Sequence, residues 1–191
     1  MNASADNPLR DARVLLCVTG GIACYKAADL TSKLVQAGAT VNVAMTQAAC
    51  EFVQPLTFQA LTRQAVHLSL WDATERFDSA HLSLTESADI MVVAPATANM
   101  LAKMAHGLAD DLVSTLALSA CGACDILVAP AMNTRMWDAP ATQANMATLR
   151  DRGVIVAGPG EGNLACGTTG LGRMLDVPDL LDAITGVLRG K

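Results

Sequence analysis

The sequence predicts an α/β fold with a single domain, in which a doubly wound, Rossmann-like or flavodoxin-like sheet is mostly parallel. Apolar runs of strand length alternate along the chain with segments whose apolar residues recur at helical spacing. Two of these runs end at a proline, which cannot donate a hydrogen bond to a sheet. A chain of 191 residues is suited to one core, since domains of this size bury roughly 70% of their unfolded surface.

The predicted elements follow one another in regular order. Strands are predicted at 14–18, 40–45, 66–70, 90–94, 125–129 and 154–157, and helical segments at 22–36, 48–53, 56–61, 81–84, 100–106, 110–119, 140–150 and 178–188. The strand at 154–157 is the last one predicted, and the polar stretch 71–78 is expected to be a loop. The glycine-rich segment 158–172 is long for a connection, so we expect a functional lid or a disordered tip, and Cys166 within it favours a lid.

The composition argues against several classes of function. A net charge of −5 and only 3% aromatic residues provide neither the basic face nor the stacking platform that nucleic acids require. No apolar run approaches the roughly 18 residues of a membrane span. Residues 1–11 lack the apolar core of a signal peptide and are expected to be a flexible tail before a domain at 12–191. Because the six cysteines are scattered and interpreted as reduced thiols, we expect a cytoplasmic protein.

A glycine turn, Gly20-Gly21, connects the first predicted strand to the first predicted helix. Backbone N–H groups at a helix N-terminus can face an anion, so a phosphate site is one interpretation of this turn. The dinucleotide fingerprint G-x-G-x-x-G is absent, however, and glycine is the default residue of any tight turn. By itself, the turn favours an ordinary connection over a phosphate site.

Polar side chains follow three of the predicted strands, at the edge of the sheet where α/β proteins bind ligands. Thr46 follows the second strand, and Asn99 and Asn133 each follow a strand that runs into a proline. An amide at this edge could hold a carboxylate or a polar ring. Each of these side chains could equally cap the helix that comes next, and the residues alone leave both interpretations open.

Several blocks of the sequence together resemble the homo-oligomeric flavin-containing cysteine decarboxylase family, over about residues 12 to 188. The blocks are TGGIACYK at 19–26, residues 46–57, HLSL at 81–84, PATAN at 95–99, GLADDL at 107–112, PAMNTRMW at 130–137, LACG at 164–167 and GRM at 172–174. One block alone is weak evidence, but their common order is hard to obtain by chance. The most similar members of the family act in coenzyme A biosynthesis.

The resemblance implies a cofactor, FMN, and a role for individual residues, with no metal. His81 matches the family's catalytic histidine, Asn133 the amide that holds the substrate carboxylate, and Cys166 the proton donor of the substrate-covering loop. Met136 and Ala165 are assigned to substrate binding together with Asn133 and Cys166. The residues assigned to the flavin and its phosphate are Gly20, Gly21, Ile22, Thr46, Pro95, Ala96, Thr97, Asn99, Ala131 and Met132.

The reaction implied by the resemblance is the decarboxylation of 4′-phosphopantothenoylcysteine to 4′-phosphopantetheine. FMN takes a hydride from Cβ of the cysteine, the resulting thioaldehyde loses CO₂, and the enethiol is reduced again with a proton from Cys166. A histidine with a pKa near neutrality is suited to handle the thiol or carboxylate proton, which is the role assigned to His81.

Two alternative functions stay open. Family members that decarboxylate the C-terminal cysteine of a peptide stop at the enethiol and typically lack the LACG loop, so Cys166 favours the coenzyme A reaction. A flavin-binding subunit without activity would not need His81, Asn133 and Cys166 together. The apolar composition, 52% of all residues, and the resemblance predict a homo-oligomer, either a trimer or a dodecamer of trimers, with a synthetase that could be a separate protein.

Other reactive side chains are interpreted as structural. Cys121 and Cys124 have the spacing of a redox or metal motif, but no second pair accompanies them, so small core thiols are the better interpretation. His67 and His106 lie outside the matching blocks and are expected to have no catalytic role. The methionines are expected to fill the core or an interface.

Overall fold

The computed structural model describes residues 7–70, 80–163, 165, 167 and 169–190, with the backbone alone for residues 80–82. Within these ranges, six strands form one sheet in which every pairing is parallel. The strands are β1 (Arg13–Val18), β2 (Thr40–Met45), β3 (Val66–His67), β4 (Ile90–Ala96), β5 (Asp125–Pro130) and β6 (Ile155–Val156). Their spatial order, β3-β2-β1-β4-β5-β6, confirms the predicted doubly wound α/β fold.

Helices cover both faces of this sheet. In chain order they are α1 (Cys24–Gln36), α2 (Gln47–Cys50), α3 (Pro55–Thr62), α4 (Ala80–Ser87), α5 (Ala98–His106), α6 (Leu112–Ser119), α7 (Thr134–Trp137), α8 (Pro140–Asp151) and α9 (Val177–Arg189). Local sequence explains several of their ends. Asp111 forms a capping box with Ser114 at the start of α6, and Gly107 ends α5 in the left-handed conformation.

The core consists of two layers, one on each face of the sheet. Alternate residues of β1 enter opposite layers, because successive side chains of a strand point to opposite faces. Leu16 packs into the layer with α1, α3 and α9, which includes Phe58, whereas Leu15 packs into the layer with α5, α6 and α8, which includes Leu101. No helix in the described ranges is both long and apolar enough to cross a membrane.

The structure corrects the predicted end of the sheet. The strand predicted at 154–157 is not the last one, because two further strands follow it, β7 (Gly160–Asn163) and β8 (Thr169–Arg173). They pair with each other in antiparallel fashion and form a hairpin apart from the main sheet. The glycine-rich segment predicted to be a lid or a disordered tip therefore contains regular structure.

Smaller differences concern the chain start and one proline. Residues 7–11, expected to belong to a flexible tail, form a turn in which Leu9 is buried and Asp11 N donates to Gly38 O at 3.0 Å. Pro95 lies inside β4 rather than after it, at an irregularity in the pairing with β5 between Val93 and Ala96. The loop predicted at 71–78 lies outside the described residues.

Replacing Leu16 with Ala tests the core. Leu16 is fully buried in a central strand, so we expect the free energy of unfolding to fall by about 3 kcal/mol, within the usual range for buried leucines. Urea unfolding followed by circular dichroism measures this change. Leu118→Ala is the matched control, since half of that side chain is exposed and its loss should cost less than about 0.5 kcal/mol. Equal losses in the two variants would contradict the assignment.

Candidate functional site

The carboxyl ends of β1, β2, β4 and β5 border one cavity of about 890 Å³, and the β7–β8 hairpin supplies a further wall. This is the edge at which open α/β sheets bind ligands, beside the point where the strand order reverses, and the volume suits a small molecule or a cofactor. The residues predicted from the sequence that line the cavity are Gly20, Gly21, Ile22, Thr46, Thr97, Asn99, Ala131, Met132, Asn133, Met136 and Ala165.

Two residues assigned to the flavin do not line this cavity. Pro95 and Ala96 are buried within β4. The Pro95 carbonyl accepts a hydrogen bond from Thr19 Oγ1 at 2.6 Å, and the Ala96 carbonyl accepts one from Ala131 N at 3.0 Å. Both residues therefore hold neighbouring strand ends in place, and their assignment to the flavin stays a prediction.

The structure does not describe the side chains of two residues assigned to catalysis, His81 and Cys166. His81 belongs to α4, but its side chain is not among the described parts. Cys166 lies outside the described residues, between Ala165 and Gly167. The roles of both residues stay predictions.

Thr46, Thr97 and Asn133 cap the helices that follow β2, β4 and β5, whereas Asn99, expected as a possible cap, lies within α5. Thr46 Oγ1 accepts from Ala49 N at 3.2 Å, and Thr97 Oγ1 accepts from Met100 N at 3.3 Å. Asn133 Oδ1 accepts from Met136 N at 2.8 Å, which leaves its Nδ2 group without a partner among the described residues. The cap interpretation is therefore confirmed for Asn133 and Thr46, while both side chains also line the cavity.

The turn after β1 exposes backbone donors to the cavity. The N–H groups of Gly20, Gly21, Ile22 and Ala23 make no hydrogen bond with the described residues, and all four residues line the cavity just before α1. Such a run of N–H groups at a helix N-terminus attracts anions. Gly20 is also constrained by packing, since a Cβ atom there would lie 2.5 Å from the Cβ of Ala48.

The hairpin is held against the end of β5 by backbone contact. Met132 N donates to Gly172 O at 2.9 Å, and a Cβ atom on Gly172 would overlap Met132 O. Gly172 also has a φ of +133°, in the region that favours glycine. Beside it, Gly170 packs on Thr134, whose Oγ1 is buried and makes no hydrogen bond with the described residues. The hairpin thus closes the cavity next to Asn133.

A network of two cations and one carboxylate joins the hairpin to α1. Lys26 Nζ donates to Met174 O at 2.9 Å, to Leu175 O at 3.4 Å and to Asp176 Oδ1 at 2.8 Å. Arg173 Nη2 donates to the same Asp176 oxygen at 2.7 Å. The hydrogen bond from Lys26, more than the Arg173 charge, holds the pKa of Asp176 below its usual value. Lys26 and Arg173 both line the cavity.

A second charged group lies at the α5 and α6 side of the cavity. Lys103 Nζ contacts Asp110 Oδ1 and Asp111 Oδ2, each at 2.6 Å. These hydrogen bonds raise the pKa of Lys103, and the bond from Lys103 lowers the pKa of Asp110. Lys103 and Asp111 line the cavity, so the lining on this side carries one positive and one negative charge.

Sequence reasoning did not assign Lys26, Lys103, Asp111 or Arg173 to the site. A signal existed for each of them. Lys26, Asp111 and Arg173 fall inside blocks that carry the family resemblance, and Lys103 stands four residues after Asn99, which places it on the same face of a helix.

Among the cysteines of the described residues, Cys17 and Cys24 are buried, whereas Cys121, expected to be a small core thiol, is exposed and Cys124 is half-buried. Burial raises the pKa of the Cys17 and Cys24 thiols, which disfavours the reactive thiolate. Cys121 and Cys124 line a separate cavity of about 500 Å³ on the other side of Lys103. Among the described residues, no group of three or more potential metal ligands comes together.

A model of the flavoprotein family matches residues 2–189. The chain belongs to this family. The probable phosphopantothenoylcysteine decarboxylase of Streptococcus mutans is 41% identical over 172 residues, which cover 90% of this chain and 96% of that protein. The bifunctional coenzyme A biosynthesis protein CoaBC of Bacillus subtilis is 49% identical over 166 residues, or 87% of this chain. This flavoprotein-family chain spans about 40% of that relative's length.

The solved structure of an FMN-dependent cysteine decarboxylase extends the comparison from the sequence to the fold. The FMN-dependent cysteine decarboxylase SpaF is 31% identical and superimposes with a TM-score of 0.80, over 95% of this chain and 98% of that one. The expected resemblance to flavin-containing cysteine decarboxylases is therefore confirmed for the family and the fold.

Replacing Gly172 with Ala tests the hairpin contact. The new Cβ would overlap Met132 O, so we expect the hairpin to separate from β5 and the free energy of unfolding to fall by roughly 2 to 4 kcal/mol. Hydrogen exchange of the Met132 amide reports the separation directly. Gly186→Ala is the control, because nothing lies within 4 Å of that position in α9, and it should be neutral or slightly stabilising. Unchanged protection of Met132 in Gly172→Ala would contradict the contact.

Proposed function

We propose that this chain is an FMN-dependent decarboxylase that converts 4′-phosphopantothenoylcysteine to 4′-phosphopantetheine. The observation that carries the proposal is the meeting of the Gly20 turn, the Asn133 amide and the β7–β8 hairpin around one cavity. The high identity to a probable phosphopantothenoylcysteine decarboxylase of nearly equal length supports the choice of substrate.

The residues of the cavity fit a flavin mononucleotide. The free N–H groups from Gly20 to Ala23, at the N-terminus of the 13-residue helix α1, suit a phosphate dianion. Thr46 supplies a hydroxyl whose oxygen already accepts from Ala49 N, so its hydrogen is available for donation to an anion. We assign the phosphate to this end of the cavity and the ring to the walls formed by Thr97, Asn99, Ala131 and Met132.

Side chains of the protein bind the substrate and transfer its protons. Bound FMN supplies a reversible two-electron acceptor for the substrate. Asn133 Nδ2 is a donor with no described protein partner, and it is suited to hold and orient the substrate carboxylate. Met136 and Ala165 border the same space. We assign the substrate thiol or carboxylate proton to His81, and the proton that completes the saturated product to Cys166.

The two alternatives have less support. The FMN-dependent cysteine decarboxylase SpaF shares the fold, whereas the relatives named for coenzyme A biosynthesis or for phosphopantothenoylcysteine reach 49% and 41% identity. A flavin-binding subunit without activity would not require the donor that Asn133 presents to the cavity. The LACG block, which contains Cys166, agrees with the coenzyme A reaction.

We further propose that the protein works as a homo-oligomer, a trimer or a dodecamer of trimers, in the cytoplasm. Large apolar side chains are exposed on α1, α3 and the segments beside them, including Tyr25 and Leu56 at 61% and 71% exposure. Such a patch is typical of an interface. A phosphopantothenoylcysteine synthetase, as a domain or a separate protein, would be the functional partner.

The mass of the product tests the proposed function. Purified FMN-loaded protein is incubated with 4′-phosphopantothenoylcysteine, and the product is analysed by exact mass. We expect the loss of CO₂ alone, because the proposed reaction returns the electrons to the substrate. Loss of CO₂ together with two hydrogens would instead indicate an oxidative enzyme that stops at the enethiol. No turnover, combined with decarboxylation of a cysteine-ended peptide, would favour the peptide alternative.

The same assay examines Cys166. In Cys166→Ser we expect one decarboxylation per flavin, accumulation of the enethiol and a bleached flavin spectrum, because the proton donor of the last step is missing. Cys121→Ser, at an exposed cysteine away from the cavity, is the control and should turn over normally. Multiple turnover by Cys166→Ser at the wild-type rate would exclude the proton-donor role.

For His81, we expect that His81→Asn abolishes CO₂ release while the protein stays yellow, since the flavin contacts assigned above do not include this residue. His106→Asn, on α5 outside the cavity lining, is the matched control. Retained CO₂ release in His81→Asn would remove the histidine from the mechanism.

The oligomer is measured by sedimentation. We expect a trimer or a larger multiple of three for the wild-type protein, and weaker association for Leu56→Ser, which places a polar group on the exposed apolar patch. A monomeric wild-type protein at micromolar concentration would contradict the proposal.

A further inference from the structure

The cavity is electrically uneven between its two sides. On the α5 and α6 side, Lys103 is paired with Asp111, which also lines the cavity, and with Asp110, which lies outside the lining. On the hairpin side, Lys26 and Arg173 share the single carboxylate of Asp176 through one oxygen atom. The charged side chains that line the cavity on the hairpin side, Lys26 and Arg173, are therefore both cations, whereas Asp176 and Glu161 lie outside the lining. An anionic part of a ligand is attracted to this side.

The two cations of the hairpin side differ in what they can still bind. Lys26 has three N–H hydrogens and already contacts three acceptors, Met174 O, Leu175 O and Asp176 Oδ1. Its side chain is only 9% exposed. Lys26 therefore stabilises the hairpin and has no donor left for a ligand.

Arg173, in contrast, keeps most of its donors. A guanidinium carries five N–H hydrogens, and the described residues accept from Arg173 only at Asp176. The side chain is 40% exposed and lines the cavity. A forked guanidinium with free donors is the protein group best suited to bind a phosphate through two parallel hydrogen bonds.

The hairpin also fixes the direction of this side chain. Arg173 crosses the neighbouring strand at Gly162, where a Cβ atom would lie 3.1 Å from both its Cδ and its Nη1. Any larger residue at 162 would displace the guanidinium. Gly172 packs on Met132 and Asn133. This contact fixes the position of the Arg173 backbone relative to Asn133, the proposed carboxylate site.

We propose that Arg173 binds the phosphate monoester of the substrate and makes the enzyme selective for phosphorylated over unphosphorylated pantothenoyl compounds. This inference rests on the proposed function and adds a specificity-determining residue to it. The substrate is a long molecule with a carboxylate at one end and a phosphate at the other. Asn133 would hold the first end and Arg173 the second.

A flavin phosphate has the same chemistry as the substrate phosphate, so the two must be distinguished. The backbone donors of the Gly20 turn and the Thr46 hydroxyl already provide a phosphate site at the ends of β1 and β2. Arg173 lies on β8, a separate element that contacts the end of β5. We therefore assign Arg173 to the substrate.

The experiment compares two ligands that differ only in the phosphate and undergo no turnover, 4′-phosphopantetheine and pantetheine. Their dissociation constants for FMN-loaded protein are measured by isothermal titration calorimetry. We expect the wild-type protein to prefer the phosphorylated ligand, and Arg173→Gln to reduce this preference by about tenfold or more. Arg173→Lys, which keeps the charge but not the fork, should give an intermediate preference. Arg150→Gln, on an exposed part of α8 outside both cavities, should match the wild type.

Asp176→Asn separates ligand binding from a purely structural effect. If Arg173 acted only through its ion pair with Asp176, the two variants would lose the same preference. If Arg173 binds phosphate, removal of the Asp176 charge should keep or increase the preference, because the competing anion is gone.

The remaining outcomes would overturn the inference. An unchanged preference in Arg173→Gln would do so, as would a loss of FMN affinity with the preference retained, which would assign Arg173 to the flavin phosphate. Equal binding of the two ligands by the wild-type protein would also overturn it. The product-mass assay is separate, so a protein that decarboxylates the substrate but shows no phosphate preference would keep the proposed function and lose only the role of Arg173.

Discussion

The contact between Gly172 and the end of β5 is the constraint on which the rest of the site depends. The hairpin has little apolar surface of its own, and it stays in place because Gly172 O accepts from Met132 N and Gly172 packs closely on Met132 and Asn133. Lys26 adds a second attachment from α1. Because these attachments bring a separate hairpin to the edge of the sheet, a shallow crevice becomes a cavity that the two cations Lys26 and Arg173 border.

The parallel sheet could be predicted because each strand carries its own signal. The apolar runs of β1, β4 and β5 are buried on both faces, and the segments between them repeat at helical spacing. A parallel arrangement then fixes the site, since it brings the ends of four strands to one edge. Thr46, Asn99 and Asn133 could therefore be located correctly without any structural information.

The hairpin and the charged groups could not be predicted in the same way. The residues of β7 and β8 include Gly160, Gly162, Gly170 and Gly172, and Thr169 is their only β-branched residue, so no local pattern indicates pairing. Their structure follows from close backbone approach, which is a tertiary property. Asp176 likewise binds both Arg173 and Lys26, and Lys26 lies 150 positions away in the sequence. A single sequence contains no signal for such a distant contact.

One side chain can both cap a helix and bind a ligand, because it has more than one hydrogen-bonding group. A cap uses the oxygen of the side chain as an acceptor, because the first N–H groups of a helix need partners. For Asn133 this leaves an amide donor, and for Thr46 a hydroxyl hydrogen, at the border of the cavity. Capping thus removes acceptors from the site and leaves donors, in addition to the free N–H groups of the Gly20 turn. A cavity built from the ends of strands and the starts of helices therefore selects anions, such as the carboxylate and the phosphates proposed here, as a consequence of how the helices are stabilised.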